Sequence, residues 1–218
     1  MFKTILLAAG LFILGGIFLF FWQWGSGDMG ETQSPEINLS LPTSPVKRGE
    51  PLGDALGRDA TLSRVTKKPF GIYITSKNSP ISPEKFTGYH TGADFEIFPG
   101  EENKDIEVFA ICGGKLLVKE FGRGYGGMIV KSCNINGEPV TVVYGHLKLE
   151  SVTFKIGDNI ITDTVLGVLG KGDSAETDFE RKHLHLGIHK GSAINTRGYV
   201  ASESELINWL DPISVLKK

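Results

Sequence analysis

The sequence predicts a mostly β protein, in which one antiparallel β-sheet domain follows an apolar N-terminal helix and a linker. Two observations support this prediction. Short runs of β-branched, aromatic and aliphatic residues recur from Phe70 onward, and turn residues separate them. Glycine is abundant, at 28 of 218 residues, whereas patterns with the period of a helix are few. Residues 69–218 are numerous enough to form one hydrophobic core.

Eight segments of this domain have the composition of short strands. They are residues 70–74, 93–98, 107–111, 115–119, 128–131, 141–144, 165–169 and 184–189. Glycine-containing turns lie between several of them, for example Asn136-Gly137. The only convincing helix signal is at 202–209, where Ser202 is followed three residues later by Glu205, as in a capping box.

Residues 4–24 predict a helix that spans a membrane. They read TILLAAGLFILGGIFLFFWQW and carry no charged side chain. As an α-helix they would extend over roughly 30 Å, about the hydrocarbon thickness of a bilayer. Lys3 precedes the segment and acidic residues follow it, so the rest of the chain is expected outside the cytoplasm. A cleaved signal peptide is the alternative, but its apolar core is usually shorter. We therefore predict a single-pass anchor over residues 1–24.

Residues 25–68 predict a linker that is largely disordered. They are rich in Ser, Pro, Gly and mixed charge and have no sustained period. Within them, residues 52–65 could form a short helix or pack against the domain. The whole chain has a net charge of -2 and no long run of one sign, so nothing indicates nucleic acid as a partner.

Four of the five histidines lie in three compact motifs. These are an HxxxD motif with His90 and Asp94, a YGHL motif with His146, and an HxH motif with His183 and His185. Residues two apart on a strand share one face, so the HxH histidines point the same way and the leucines next to them point the other way. Two core histidines would each need a buried hydrogen-bond partner, which favours a metal site or a proton-transfer pair.

The HxxxD motif adds a third nitrogen and a carboxylate to this set. Gly92 lies between His90 and Asp94, and we expect it to permit a sharp bend that lets the two side chains converge. Zinc accepts nitrogen and oxygen ligands at about 2.0–2.2 Å, and catalytic zinc sites use three protein ligands with one position left for water. Each motif alone is a weak signal, but the ordered set within one β domain is much stronger.

From about Phe70 to Leu216 the sequence resembles the lysostaphin-type zinc metallopeptidases, whose catalytic unit is called the LytM domain. The stretches that carry the resemblance are GYHTGADFEI, GYGGMIV, VTVVYGHL, KIGD, LGVLGKG, HLHLGIH and WLDPISVL. The resemblance implies a β-sheet fold with an open groove. It implies one Zn2+ per chain, with His90, Asp94 and His185 as ligands and His146 and His183 as acid–base and transition-state groups.

The resemblance also implies the substrate and the place of action. The expected reaction is hydrolysis of peptide bonds in peptidoglycan stem peptides or cross-bridges, outside the bacterial cytoplasmic membrane. Two other functions remain open. A catalytically inactive member would bind wall peptides or activate another hydrolase, but such members typically lack a ligand, and here all five positions are filled. A carboxypeptidase would trim peptide ends, but such enzymes usually have other motif spacings.

The chain departs from the family pattern at two places. Residues 171–182 are longer and more acidic than the usual Gly/Ser/Thr-rich turn before HxH, and Asp163 stands where glycine is common. We interpret the acidic run 173–180 as a solvated loop, with contact to a substrate amino group as the alternative. The change at Asp163 is expected to alter only a turn.

Cys112 and Cys133 are the only cysteines, and they flank a hairpin expected near residues 122–124. They could lie opposite each other on adjacent strands, and an extracytoplasmic location permits a disulfide. Bulges could shift that register, and two buried thiols are the alternative. His189 lies four residues beyond His185 on the same expected strand face, and we predict it at the rim of the groove.

Overall fold

The structure is a computed structural model that describes residues 55–56 and 62–217. Its strands β1 to β12 are Tyr73–Ile74, Gly88–His90, Gly92–Glu96, Glu107–Phe109, Gly114–Gly122, Gly126–Ile135, Glu138–Leu147, Asn159–Ile160, Val165–Val168, His183–Lys190, Tyr199–Val200 and Trp209–Leu210. The described helices are the 3₁₀ helices Leu62–Arg64, Leu149–Ser151, Ala175–Thr177 and Glu203–Asn208, and the α-helix α1 (Pro212–Leu216). The predicted antiparallel, mostly β class is confirmed.

Strand β10 is the centre of the largest sheet. This sheet has seven strands in the order β12-β10-β7-β6-β5-β8, and β3 also pairs with β10. One edge of β10 pairs with β7, while the other edge pairs first with β3 and then with β12, all antiparallel. Smaller sheets contain β1-β2-β11 and β4-β9. The strands that carry the HxxxD, YGHL and HxH motifs are therefore neighbours.

The hydrophobic core lies on one face of β10. Leu184, Leu186 and Ile188 are fully buried and pack with Ala93 and Phe95 of β3. Burying one such aliphatic side chain stabilises the fold by about 1.5–3 kcal/mol. A slip of one residue would exchange these leucines for the histidines, so the core determines the register and directs the histidines to the opposite face.

The eight predicted strands are all present, although their ends differ. The structure adds β2, β8, β11 and β12, which have only two or three residues and therefore show no period in the sequence. The capping box of Ser202 and Glu205 is confirmed, and the helix that it begins is a 3₁₀ helix. Helix α1 was not predicted; it begins at Pro212, and the Asp211 side chain accepts a hydrogen bond from the backbone N–H of Ile213 at 3.0 Å.

The folded domain begins before the predicted boundary at residue 69. Ala55 and Leu56 belong to the hydrophobic core, and the buried Arg64 forms an ion pair with Glu101 at 2.7 Å. The described part of the predicted linker 25–68 therefore packs against the domain, which was the alternative considered for 52–65. The predicted membrane span and the remaining linker residues lie outside the described residues. Among residues 55–56 and 62–217, no helix is long and apolar enough to cross a membrane.

The predicted disulfide is confirmed. Cys112 and Cys133 are bonded, and their Cα atoms are 5.9 Å apart. Cys133 belongs to β6 and Cys112 precedes β5, and a register shift between Leu116 and Val118 does not separate them. A cross-link that closes a loop of this size typically contributes about 3 kcal/mol to stability.

Lys131 of β6 is fully buried beside this disulfide. Its Nζ donates hydrogen bonds to the carbonyl oxygens of Cys112 at 2.9 Å and Ile160 at 3.5 Å. No carboxylate of the described residues forms an ion pair with it. Burial lowers the pKa of Lys131 to about 8, because the charged ammonium loses its hydration.

We expect Lys131 to make the protein more stable as the pH rises. Between pH 8 and the ordinary lysine value of 10.5 the unfolded chain keeps the proton that the folded chain has released, so unfolding takes up a proton. Denaturant unfolding of the wild type and of Lys131→Met at pH 7 and pH 9.5 measures this. The stability of the wild type relative to the variant should rise by roughly 2 kcal/mol over that range. An unchanged difference would show that Lys131 titrates normally.

Candidate metal centre and active site

Three side chains from β2, β3 and β10 converge. His90 Nε2 lies 3.1 Å from His185 Nδ1, and Asp94 Oδ1 lies 3.1 Å from His185 Nδ1 and 3.3 Å from His90 Nε2. All three side chains are buried. The structure therefore brings these distant residues together, and the three atoms form a nearly equilateral triangle.

This triangle has the size that a tetrahedral zinc ion requires. Ligand atoms about 2.0–2.1 Å from a tetrahedral zinc ion lie about 3.3 Å from one another. The donor set of two imidazoles and one carboxylate is also one that zinc uses in catalytic sites. His90, Asp94 and His185 can therefore hold a metal ion without rearrangement.

The pairing of β10 with β3 places two of the three ligands. His185 lies directly opposite Asp94, and His183 lies opposite Glu96. Gly92 lies opposite Gly187, and a Cβ at Gly92 would lie 2.4 Å from the carbonyl oxygen of Leu186 and 2.7 Å from His185 Nε2. The bend expected between His90 and Asp94 lies at Thr91, directly before Gly92. Gly92 is in a strand, and glycine is needed there because the His185 ring occupies the space of a side chain.

Hydrogen bonds on the far side of each ligand orient it toward the triangle. His90 Nδ1 donates to the carbonyl oxygen of Pro69 at 3.2 Å, which leaves the lone pair on Nε2. The Tyr125 hydroxyl lies 3.4 Å from His185 Nε2, which leaves Nδ1 for the triangle. Arg181 Nη2 donates to Asp94 Oδ2 at 2.8 Å. Such partners determine the tautomer and the ring orientation of metal ligands.

The protonation states of the ligands also suit a metal. Burial alone would raise the pKa of Asp94, but the imidazoles of His183 and His90 outweigh it and hold that pKa well below its usual range. Burial lowers the pKa of His185 to about 4, although its hydrogen bond to Asp94 acts in the opposite direction. At neutral pH the site therefore offers a carboxylate and an uncharged imidazole, which are the forms that bind metals.

His146 and His183 form a second pair beside the triangle. Their ring centroids are 4.1 Å apart. His146 Nδ1 donates to the carbonyl oxygen of Thr177 at 3.2 Å, and His183 Nδ1 donates to that of Arg181 at 2.8 Å. In a neutral His146 ring, Nε2 therefore carries a lone pair, whereas His183 Nε2 lies 3.3 Å from Asp94 Oδ2. Burial and the neighbouring His183 lower the pKa of His146 well below its usual value, so this imidazole is neutral.

One open cavity brings these groups to solvent. Its volume is about 280 Å³. Asp94, His146, His183 and His185 all line it, together with Lys68, Phe86, Arg123, Gly124, Tyr125, Glu180, Arg181, Thr196, Arg197, Gly198 and Tyr199. His189 is not among the lining residues; its ring packs against Trp209 with centroids 4.8 Å apart. The predicted position of His189 at the rim of the groove is therefore wrong, because His189 lies against Trp209 and outside the cavity lining.

Arg181 is a site residue that the sequence analysis missed. Its Nε lies 3.0 Å from both carboxylate oxygens of Glu96, while its Nη2 reaches Asp94. One guanidinium thus pairs with two buried carboxylates and holds Asp94 in place, and Lys67 adds a second positive charge at 3.5 Å from Glu96. The available signal was its spacing of two residues before His183, which would place it on the histidine side of an extended chain.

Lys68 and Glu84 are a second omission. They form an ion pair at 2.7 Å, and each side chain is 2% exposed. Lys68 Nζ also donates to the Tyr199 hydroxyl at 3.2 Å, and the Tyr199 ring stacks on His90 with centroids 5.1 Å apart. The carbonyl oxygen of Lys68 accepts a hydrogen bond from the backbone N–H of Asp94 at 3.0 Å. A segment assigned to the linker therefore supports two candidate ligands.

The acidic segment before HxH is an ordered part of the site. Asp178 Oδ2 accepts a hydrogen bond from the backbone N–H of Gly124 at 2.7 Å, and the buried Glu180 pairs with Lys85 at 3.0 Å. The interpretation of residues 173–180 as a merely solvated loop is therefore wrong. Asp163 has a φ of 61°, the left-handed conformation that glycine favours, and it lies in a turn as expected.

Residues 88–196, half of the chain, match the family model of Peptidase family M23. The chain belongs to this family. The M23 peptidases are metallopeptidases, and the lysostaphin-type resemblance stated from the motifs is confirmed. The match includes all five histidine and aspartate residues of the metal triangle and the His146–His183 pair.

Individual relatives of this M23 chain are distant. It is 26% identical over 120 residues to endolysin 2638A of Staphylococcus phage 2638A, an alignment that covers 55% of this chain and 23% of the endolysin. The chain thus spans about a quarter of that relative. Among solved structures, LytU is 23% identical over 68% of this chain and 81% of its own, with a TM-score of 0.46. Helicobacter pylori Csd3 is 20% identical over 71% of this chain and 36% of its own, with a TM-score of 0.43.

We expect Gly92→Ala to weaken metal binding in this M23 domain. The added methyl group must displace the His185 ring or the backbone of β10, which typically costs about 1–3 kcal/mol of stability. Competition with a chelator should show a zinc affinity lowered about 10- to 100-fold, as for other changes that misplace a ligand. Gly113→Ala is the matched control, because the nearest atom to its added Cβ would be 3.9 Å away. Equal zinc affinity in the two variants would contradict this account of Gly92.

Proposed function

We propose that this chain is a zinc metalloendopeptidase that hydrolyses peptide bonds in peptidoglycan stem peptides or cross-bridges. The observation that carries the proposal is the triangle of ligand atoms, 3.1–3.3 Å on a side, next to the paired imidazoles of His146 and His183 on the wall of one cavity. Membership of Peptidase family M23 supports the reaction class. The similarity to a phage endolysin and the predicted extracytoplasmic location support a cell-wall substrate.

We propose further that residues 1–24 hold the domain on the outer side of the cytoplasmic membrane. This part of the proposal rests on the sequence, in which a long uncharged segment follows Lys3 and precedes acidic residues. Secretion after signal cleavage is the alternative. In both cases the domain meets peptidoglycan and an environment that favours the Cys112–Cys133 disulfide.

His90, Asp94 and His185 would hold the zinc ion. A zinc ion so bound lowers the pKa of a coordinated water molecule toward about 7 and polarises the carbonyl group of a peptide. The remaining steps belong to the protein. Arg181 holds Asp94 by its Oδ2 atom, so Oδ1 stays in the triangle.

His146 and His183 supply the proton transfers of amide hydrolysis. The attacking water molecule must lose a proton, and the departing amine must gain one. A neutral imidazole accepts a proton at Nε2, and the resulting imidazolium donates it to the amine or stabilises the oxyanion with a hydrogen bond. With centroids 4.1 Å apart, the two rings can reach the same peptide group and share these roles. General acid–base help of this kind is typically worth about 10²–10⁴ in rate.

We expect His90→Ala, Asp94→Ala and His185→Ala to lose zinc. Each substitution removes one of three protein ligands, and the two that remain do not form a catalytic site. Elemental analysis of the dialysed proteins measures the zinc content per chain. His189→Ala is the matched control, because this histidine lies on the same strand outside the triangle and should leave zinc bound. Full zinc content in His185→Ala would refute the ligand assignment.

His146→Ala and His183→Ala should keep zinc but lose about 10²–10⁴ in turnover, since each removes a proton-transfer group. Mass spectrometry of digested peptidoglycan measures the products, with the wild type as reference. Internal cuts within stem peptides or cross-bridges support the endopeptidase. Loss of terminal residues would instead identify a carboxypeptidase. Binding of wall peptides without any cut by the zinc-loaded wild type would identify an inactive family member.

A further inference from the structure

The charged side chains that line the cavity are almost all neutralised within the protein. Lys68 pairs with Glu84 at 2.7 Å, and Arg181 pairs with Asp94 at 2.8 Å. Two further ion pairs neutralise the charges of Glu180 and Arg197, which also line the cavity. Glu180 pairs with Lys85 at 3.0 Å and Arg197 pairs with Glu205 at 2.9 Å. These pairs leave little net charge on the wall that a substrate meets.

Arg123 is the exception among the lining residues that the structure describes. It is exposed, it lines the cavity, and its guanidinium has neither a hydrogen bond nor an ion pair with any described residue. It lies on the turn between β5 and β6. The cavity of the proposed enzyme therefore presents one uncompensated positive charge.

The turn that carries Arg123 is held in a fixed position relative to the metal triangle. On its C-terminal side, the backbone N–H of Gly124 donates to Asp178 at 2.7 Å. The next residue, Tyr125, is buried, and its hydroxyl reaches His185 Nε2 at 3.4 Å. Gly145 makes room for that tyrosine, because a Cβ there would lie 2.4 Å from the Tyr125 ring. Arg123 is thus two residues from a side chain that contacts a candidate metal ligand.

A substrate bound in this cavity meets Arg123, because Arg123 lines it. Residues of an extended peptide follow one another at about 3.3 Å, so side chains one or two residues from the scissile bond enter the same cavity. A guanidinium binds a carboxylate through two parallel hydrogen bonds between opposite charges. A primary amide has no charge and offers only one acceptor oxygen, so it binds a guanidinium more weakly.

We propose that Arg123 binds a free carboxylate on a substrate residue one or two positions from the scissile bond. The site therefore selects peptides that carry this carboxylate over peptides in which it is amidated. This inference rests on the proposed endopeptidase function and narrows its substrate class to acidic peptides.

Two synthetic cross-linked stem peptides test the inference. They are identical except that the residue near the scissile bond carries either a free carboxylate or its primary amide. The wild type should cleave the acid peptide with the higher kcat/KM. Arg123→Gln should raise KM for the acid peptide about 10- to 100-fold, the usual loss for a hydrogen bond to a charged group, with kcat unchanged. The amide peptide should be unaffected, and Arg123→Lys should retain part of the preference.

Lys155→Gln is the matched control for loss of one positive charge, because Lys155 is exposed and does not line the cavity. It should leave the preference for the acid peptide intact. Equal cleavage of the two peptides by the wild type, an equal effect of Arg123→Gln on both, or the same effect in Lys155→Gln would overturn the inference while leaving the peptidase function in place.

Binding separates the failure of the inference from the failure of the proposed function. Calorimetry on zinc-loaded His146→Ala, with and without Arg123→Gln, measures the affinity for each peptide without cleavage. Tighter binding of the acid peptide that depends on Arg123 supports carboxylate recognition even if the wild type cuts neither peptide. Equal affinity for the two peptides would overturn it.

Discussion

The pairing of β10 with β3 is the constraint on which the site depends. It places His185 opposite Asp94 and buries Leu184 and Leu186 on the other face of the same strand. The free energy gained by burying the leucines therefore also holds the histidine side chains toward the cavity. Gly92 belongs to the same pairing, because only a residue without a side chain leaves room for the His185 ring. The same strand register therefore places the core on one face of β10 and the candidate metal site on the other.

Buried charge is the second constraint. It explains why the site needs charged residues from outside the histidine motifs. Asp94 and Glu96 are both buried, and an unpaired carboxylate there would be costly. Arg181 pairs with both of them, and the Lys68–Glu84 pair supports His90 through Tyr199. Arg181 belongs to residues 171–182 before HxH, Lys68 lies before β1, and Glu84 lies between β1 and β2. None of these residues is a candidate ligand, but each helps to orient one.

Much of the site could be predicted because metal chemistry restricts residue types and spacing. The HxxxD, YGHL and HxH motifs selected Asp94 and four histidines, and the resemblance to a known family divided them into three candidate ligands and two further histidines. The same reasoning failed for the linker boundary and for the acidic run. The roles of Lys68 and Asp178 depend on their contacts with Glu84 and Gly124, which are distant in the sequence. No local sequence pattern predicts such contacts.

The sequence by itself indicated the β class and the main strands along the chain, and the family resemblance implied which motif residues are candidate ligands. The class and the strands follow from local period, whereas the pairing of the two cysteines stayed open. The tertiary structure decided which hydrogen bonds orient the ligands, that Gly92 is needed for space, and that Arg123 alone among the described cavity charges has no partner. These facts depend on distances between residues remote in the chain, and such distances arise only when the sheet and its loops pack together.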